Sequence, residues 1–169
     1  SYSVRPVDER DAAVVARHRV AMFREMGEVP TDALATELLS TSIEALAALL
    51  REGVYVGWLA IDGNDVVIAG AGVHIKPQLP RISPDGVRVA TAPVPLVVNV
   101  YTEPAWRRQG IARALMRTLI EWATAHGCDR VLLHASDVGR PLYLSLGFLP
   151  TNEMRWVPAG AGRSRSTEE

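Results

Sequence analysis

The chain has 169 residues, 48% of them hydrophobic, with 18 basic against 19 acidic side chains and a net charge of −1 at pH 7. That length fits one domain with room for a core, and the near-neutral balance argues against a strongly basic nucleic-acid or membrane-surface protein. One cysteine, Cys128, has no partner for an intramolecular disulfide, and no run approaches the ~18 consecutive apolar residues that span a bilayer. The N-terminal stretch SYSVRPVDERD is charged and lacks the apolar centre of a signal peptide. Lys76 is the sole lysine, an arginine bias that suits a GC-rich bacterial genome. A soluble, cytoplasmic, single-domain protein is the expectation.

In chain order, YSVRPV predicts a strand that ends at the acidic DERD run, which suits a helix N-terminus. A helix from about Asp11 to Met26 follows and stops at MGEVP. Thr31 or Asp32 caps a second helix that closes at Gly53. VYVGWLAI and DVVIAGAGVHI read as strands joined by the turn signal DGN. Residues 77–95 contain Pro77, Pro80, Pro84, Pro93 and Pro95 and predict loop. LVVNVYT is near-continuously apolar, as in a strand buried on both faces. The helix after Gly110 carries Ile111, Leu115, Leu119 and Trp122 on one stripe and ends at Gly127. RVLLHAS predicts a strand, RPLYLSLG a short helix and NEMRWVP a last strand. Residues 158–169 hold too little apolar surface to order themselves, which leaves 1–157 as the domain. Two antiparallel hairpin strands followed by a strand–helix–strand crossover imply a mixed α/β sheet with helices on both faces.

The most informative stretch is PAWRRQGIARALM, where arginines and a glycine open a helix. A helix N-terminus leaves about four N–H groups unpaired and carries roughly half a positive charge, so it favours an anion. Gly110 lets the backbone come close, and Arg107 and Arg108 add charged donors. The preceding buried strand delivers the chain to the turn where open α/β sheets bind ligands. Phosphate or pyrophosphate is the ligand chemistry that this predicts, against the alternative of a plain helix start. The nucleotide-triphosphate loop is excluded, because Ile111 and Ala112 stand where a lysine and a hydroxyl are needed. AGAGVHI has no third glycine and no following helix, so the dinucleotide fingerprint fails as well.

VYTEPAWRRQGIARALM resembles the coenzyme A pyrophosphate loop of the GNAT superfamily of N-acetyltransferases, whose Q/R-x-x-G-x-G/A pattern is matched by Arg107, Gly110 and Ala112. HASDVGRPLYLSLGF resembles the later motif of that family, with a tyrosine shortly before Gly-Phe. The likeness runs over about residues 3–157. It implies the family's mostly antiparallel mixed sheet, with acetyl-CoA as cosubstrate between two splayed parallel core strands. Separately, no His/Cys/Asp/Glu spacing in the sequence suggests a metal site, and none is expected. Pantetheine would pair with backbone at Val100, Tyr101 and Thr102 as an added strand. The pyrophosphate would meet Arg107 and the amides of Arg108, Gln109, Gly110, Ile111, Ala112 and Arg113. Ser136 stands where many relatives carry asparagine.

Acetyl transfer to an amine needs a base for the ammonium, a donor for the thioester oxygen and an acid for the thiolate. The resemblance assigns the acid to Tyr143, and a backbone amide near Tyr101 suits the oxygen. Glu103, just past the strand end, is the first candidate base. His134 is expected as a satisfied core histidine, His18 and His126 as surface or cap residues, and His74 as lying near the cleft. Asp137 is expected to cap the following helix. Cys128, Trp58, Trp106 and Trp122 read as packing. The acceptor pocket is expected between the first two helices and the 77–95 loop, where Glu25, Glu28 and Asp32 could attract a cation. The expected partner is a small-molecule or peptide amine, with no nucleic acid or membrane and with a homodimer left open. A non-catalytic acyl-CoA-binding module, a transferase using another acyl-CoA donor and a plain interaction domain remain alternatives.

Overall fold

The computed structural model describes residues 1–161, so the tail expected to be disordered lies, for 162–169, outside the described residues. The elements are β1 (Tyr2–Pro6), a 3-10 turn (Glu9–Asp11), α1 (Ala12–Glu25), α2 (Asp32–Arg51), β2 (Tyr55–Asp62), β3 (Val67–Lys76), β4 (Arg81–Ile82), β5 (Val89–Ala90), β6 (Val94–Thr102), a 3-10 turn (Pro104–Trp106), α3 (Ile111–Ala125), β7 (Leu132–Leu133) and α4 (Arg140–Ser145). The main sheet has the order β1-β2-β3-β6-β7, antiparallel except for the β6–β7 pair.

Local chemistry explains the helix starts. Asp8 and Asp11 form a reciprocal capping box over the first 3-10 turn, and Arg5 grips Asp11 with two hydrogen bonds of 2.7 and 2.8 Å. That ion pair holds the Asp11 carboxyl below its ordinary range. Thr31, the first of the two expected caps, accepts from Leu34 N at 3.2 Å. By length and composition α2, with mean hydropathy 1.5, is apolar enough to cross a membrane. In this fold its Leu39, Ile43 and Leu46 pack against α1 and the sheet.

The sheet separates two cores. On one face α3 sets Ile111, Leu115, Met116 and Leu119 against Trp58, Ile68, Val73 and Val97. On the other, α1 and α2 bring Val15, Ala16 and Leu46 onto Tyr55 and Leu59. One bulge matters for all that follows. Gly72 pairs with Asn99 and Val73 with Val97, so Val98 is an extra residue in β6. Val97 and Val100 pack on the α3 face, while Val98 and Asn99 both turn toward α1.

Three expected elements differ. RVLLHAS contributes only Leu132–Leu133 to the sheet, paired with Leu96 and Val97. The expected last strand, NEMRWVP, forms no ladder, and Met154 and Trp156 are exposed. With no face to bury them, their β-propensity is not expressed. The expected loop at 77–95 contains the short β4–β5 hairpin.

Candidate active site

β6 and β7 pair only at Leu96–Leu132 and Val97–Leu133. Beyond that point β6 runs on from Val98 to Thr102 with no strand partner on its β7 side, and His134–Ser136 continue without one. The strands therefore part, and the stretch of β6 around Val100 has no ladder partner on that side, an edge that a ligand can pair with as an added strand.

At the end of β6 the chain turns through Pro104–Trp106 into α3, with Gly110 as N-cap at φ 78° and no side-chain cap. The left-handed backbone, not crowding within the protein, is what requires glycine: a Cβ there would meet nothing within 4 Å. That open space, in front of uncapped helix amides, is room for an anion. Arg108 is itself left-handed, at φ 64°, and has no ion-pair partner among the described residues. Ile111 is fully buried and anchors α3, so its backbone, not its side chain, is what the turn offers. Gln109 is exposed and Ala112 half-buried.

Arg107 is differently engaged. Its guanidinium bonds Glu25 Oε1 at 2.6 Å and the Thr102 carbonyl at 2.9 Å, and lies 5.6 Å from the centre of the Tyr101 ring. It ties the end of α1 to the end of β6, and the Glu25 bond is the main cause of its raised pKa. Glu25 and Asp32, expected to attract a cation, are each paired with an arginine, Arg107 and Arg24. Glu28 is exposed.

α4 carries the second group. Arg113 reaches Ser145 Oγ at 2.9 Å, which ties α3 to α4. Ser136 Oγ accepts from Gly139 N at 3.1 Å and Ser136 O from Arg140 N at 2.9 Å. Ser136 thus does the local capping expected of Asp137. Tyr143 packs edge-on to Phe148, at 5.9 Å between centroids, and belongs to the α3-side cluster. Burial raises its pKa, so the hydroxyl stays a donor at neutral pH. Glu103 lies on the other side: its carboxylate meets His18 Nε2 at 3.4 Å and Arg17 at 3.7 Å, both from α1. Tyr143 and Glu103 therefore belong to opposite faces of the parted strands.

The histidines correct the sequence expectations. His18, expected at the surface, is 3% exposed and packs its ring 5.0 Å from that of Tyr101, because α1 turns this position onto β6. His134, expected in the core, is an exposed partner of Glu153 at 2.6 Å, since β7 ends before it. His126 stacks on Trp122 and bonds its carbonyl, as a C-terminal residue of α3. His74 lies opposite Leu96, where the sheet is still fully paired. The β4–β5 hairpin, placed by the sequence beside the acceptor, is clamped by Arg81 to Asp129, at the paired end of β6 and β7. The Cys128 thiol is half-buried and pushed up by burial and then by Asp129, which makes it a poor nucleophile.

What the sequence could not show is the polar seam between RHR in α1 and NVYTE in β6. Arg19 bonds the Val98 carbonyl at 3.0 Å and Asn99 Oδ1 at 2.9 Å, and the Asn99 amide donates to Tyr55 at 3.1 Å. Burial pushes the Tyr55 hydroxyl up to about 12. The one hint in the sequence was an asparagine inside an otherwise apolar strand.

The comparisons with known proteins agree with this geometry. Residues 20–148 match the model of the Acetyltransferase (GNAT) family. A GCN5-related N-acetyltransferase from Ralstonia eutropha superposes with a TM-score of 0.81 at 32% identity, over 95% of this chain and 100% of that one. A predicted acetyltransferase from Clostridium acetobutylicum, solved with acetyl-CoA, gives 0.78 at 25% identity over 94% and 96%. Among curated proteins, glucosamine 6-phosphate N-acetyltransferase of Trypanosoma brucei brucei is 30% identical over 82 residues, which are 48% of this chain and 50% of that one. The match thus spans about half of that relative. A family match over most of the chain, on a sheet whose two parallel strands part beside an uncapped helix N-terminus, makes this protein an acyltransferase of the GNAT family.

Proposed function

We propose that the protein moves an acetyl group from acetyl-CoA to a primary amine by direct attack within a ternary complex. The observation that carries this reading is the parting of β6 from β7 immediately before the uncapped, glycine-opened end of α3. The residues present fit acetyl-CoA: free strand edge for an amide-bearing pantetheine and open helix amides for its pyrophosphate. Val100, Tyr101 and Thr102 would line the former. Arg108, Gln109, Gly110, Ile111, Ala112 and Arg113 would hold the latter. Arg107 would brace the turn through Glu25, and Ser136 would line the facing edge. Acetyl-CoA supplies an activated thioester whose sulfur is a good leaving group.

The chain's own residues do the rest. An amine of pKa about 10.4 is almost wholly protonated at neutral pH. Glu103 takes one proton, and the freed lone pair attacks the thioester carbon. A backbone N–H of β6 near Tyr101 faces the charge that grows on the carbonyl oxygen. As the carbon–sulfur bond breaks, its electron pair leaves on sulfur and Tyr143 supplies a proton there. The second proton shed by nitrogen offsets the one given by Tyr143, so amide, coenzyme A and one proton result. The opposite-face placement of Tyr143 and Glu103 suits donor and acceptor approaching from two sides.

Glucosamine 6-phosphate, the substrate named for the trypanosomal relative, is the first acceptor to try, within a panel of amino sugars, amino acids and peptides. The test is acceptor-dependent release of coenzyme A thiol. Tyr143→Phe is expected to lower kcat by about a hundredfold with acetyl-CoA binding retained. Unchanged turnover in that variant would remove Tyr143 from the mechanism, and tight binding without transfer to any amine would reduce the protein to a binding module.

A further inference from the structure

One buried ionisable side chain has no part in the chemistry above. His18 is 3% exposed, and its Nε2 has no hydrogen-bond partner among the described residues. Such a group is costly to bury, so its placement calls for a physical reason. Its carboxylate neighbour is Glu103, with Oε1 at 3.4 Å, near enough for charge but not aligned as a hydrogen bond. The ring is otherwise confined. Tyr101 lies against it with the two rings tilted by 40°, and Gly70 lies close by, where a Cβ would sit 3.5 Å from Nδ1. A cavity of about 10 Å³ lies beside it, lined also by Tyr55, Asn99 and Tyr101. The backbone of Glu103 is fixed as well, its N–H bonding Ile68 O at 2.8 Å. The carboxylate is therefore the movable member of a rigid pair.

We infer that His18 is a positioning residue for Glu103: its Nε2–H holds one carboxylate oxygen, which leaves the other to take the proton of the acceptor amine. This rests on Glu103 being the base. The charged and titratable groups around the ring are Arg17 on α1, Tyr101 on β6, Glu103 just past its end and Tyr55 on β2, with Arg19 bonded to the neighbouring Asn99. Burial lowers the pKa of His18 against the opposing pull of Glu103. The imidazole is thus neutral at pH 7 and acts as an N–H donor, not as a competing cation. Hydrogen bonds at catalytic groups are often long without substrate and tighten on binding, which fits the observed 3.4 Å separation.

Two measurements test this on the full chain. The first follows the His18 ring by nitrogen NMR across pH. In Glu103→Gln its titration midpoint should fall, because the carboxylate that favours the cation is gone; an unchanged midpoint overturns the pairing. The second is a double-mutant cycle in kcat with acetyl-CoA and the best amine of the panel. His18→Leu should lose about tenfold in kcat with KM for acetyl-CoA unchanged. His18→Gln, which keeps an N–H donor, should recover most of it, and adding His18→Leu to Glu103→Gln should cost nothing more. Multiplying losses in the double variant, or full turnover in His18→Leu, overturns the inference while leaving Glu103 as base. Full turnover in Glu103→Gln overturns the base assignment itself. If His18→Leu fails to fold, His18→Gln and the NMR comparison decide the question.

Discussion

The two faces of β6 are built from one strand and do different work. Toward α3 it presents Val97 and Val100 to Ile111, Leu115, Met116 and Leu119, an apolar interlock that fixes the helix whose uncapped first turn is proposed to face acetyl-CoA. Toward α1 it presents Asn99, Tyr101 and Glu103 to Arg19, His18 and Arg17, a seam of hydrogen bonds and charge. The extra residue at Val98 separates them: it shifts the alternation, so that the polar positions gather on one side just where the strand loses its β7 partner. The apolar face secures the fold, and the polar face equips the opening.

Breaking the apolar face should cost most. Leu119 is fully buried, and Leu119→Ala is expected to lower stability by about 3 kcal/mol through lost burial and the cavity left behind. Denaturant unfolding would measure it, and a loss below about 1 kcal/mol would show that the α3 face is not the packed one. The seam should yield less. Asn99→Ala strips Tyr55 and Arg19 of a buried partner, at an expected cost of about 2 kcal/mol. Its sharper signature is lost activity, because the bulge would no longer be held from both sides.

A third effect depends on pH. The folded-state pKa of His18 is depressed by burial, so the unfolded chain binds the proton first as pH falls. Stability from the neutral ring is fully present above the unfolded value of about 6.5 and is lost as pH drops toward the folded value. Thermal unfolding of wild type should therefore weaken between pH 7 and lower pH more than that of His18→Gln. Parallel curves would contradict a buried neutral His18. The smallest effect belongs to the exposed pair of Arg107 and Glu25. Glu25→Gln should change stability by about 0.5 kcal/mol or less, yet weaken acetyl-CoA binding if the pair braces the turn.

Much of this was legible in the sequence where local rules govern. The helix starts followed from Thr31 and Gly110, the β2–β3 hairpin from DGN, and the α3 stripe from its period. The glycine-opened, uncapped start of α3 could be read from RRQG because glycine, helix start and charge act within a few residues. The seam could not, because it joins positions some eighty residues apart, and because one bulged residue in LVVNVYT changes which face each side chain takes. For the same reason His18 read as a surface residue and His134 as a core one: burial of a lone histidine depends on what another element brings to it. NEMRWVP carries strand propensity without a ladder partner, a case in which tertiary context overrides local preference.

The central claim is that the parted strands and the glycine-opened end of α3 hold acetyl-CoA, and a calorimetric titration tests it most directly. Wild type should bind acetyl-CoA, and Gly110→Trp should not, since a bulky side chain would fill the open space in front of the helix amides. The left-handed φ adds a strain of about 1–2 kcal/mol, which circular dichroism would show to be tolerated. No binding by wild type, or undiminished binding by a folded Gly110→Trp, would contradict the account.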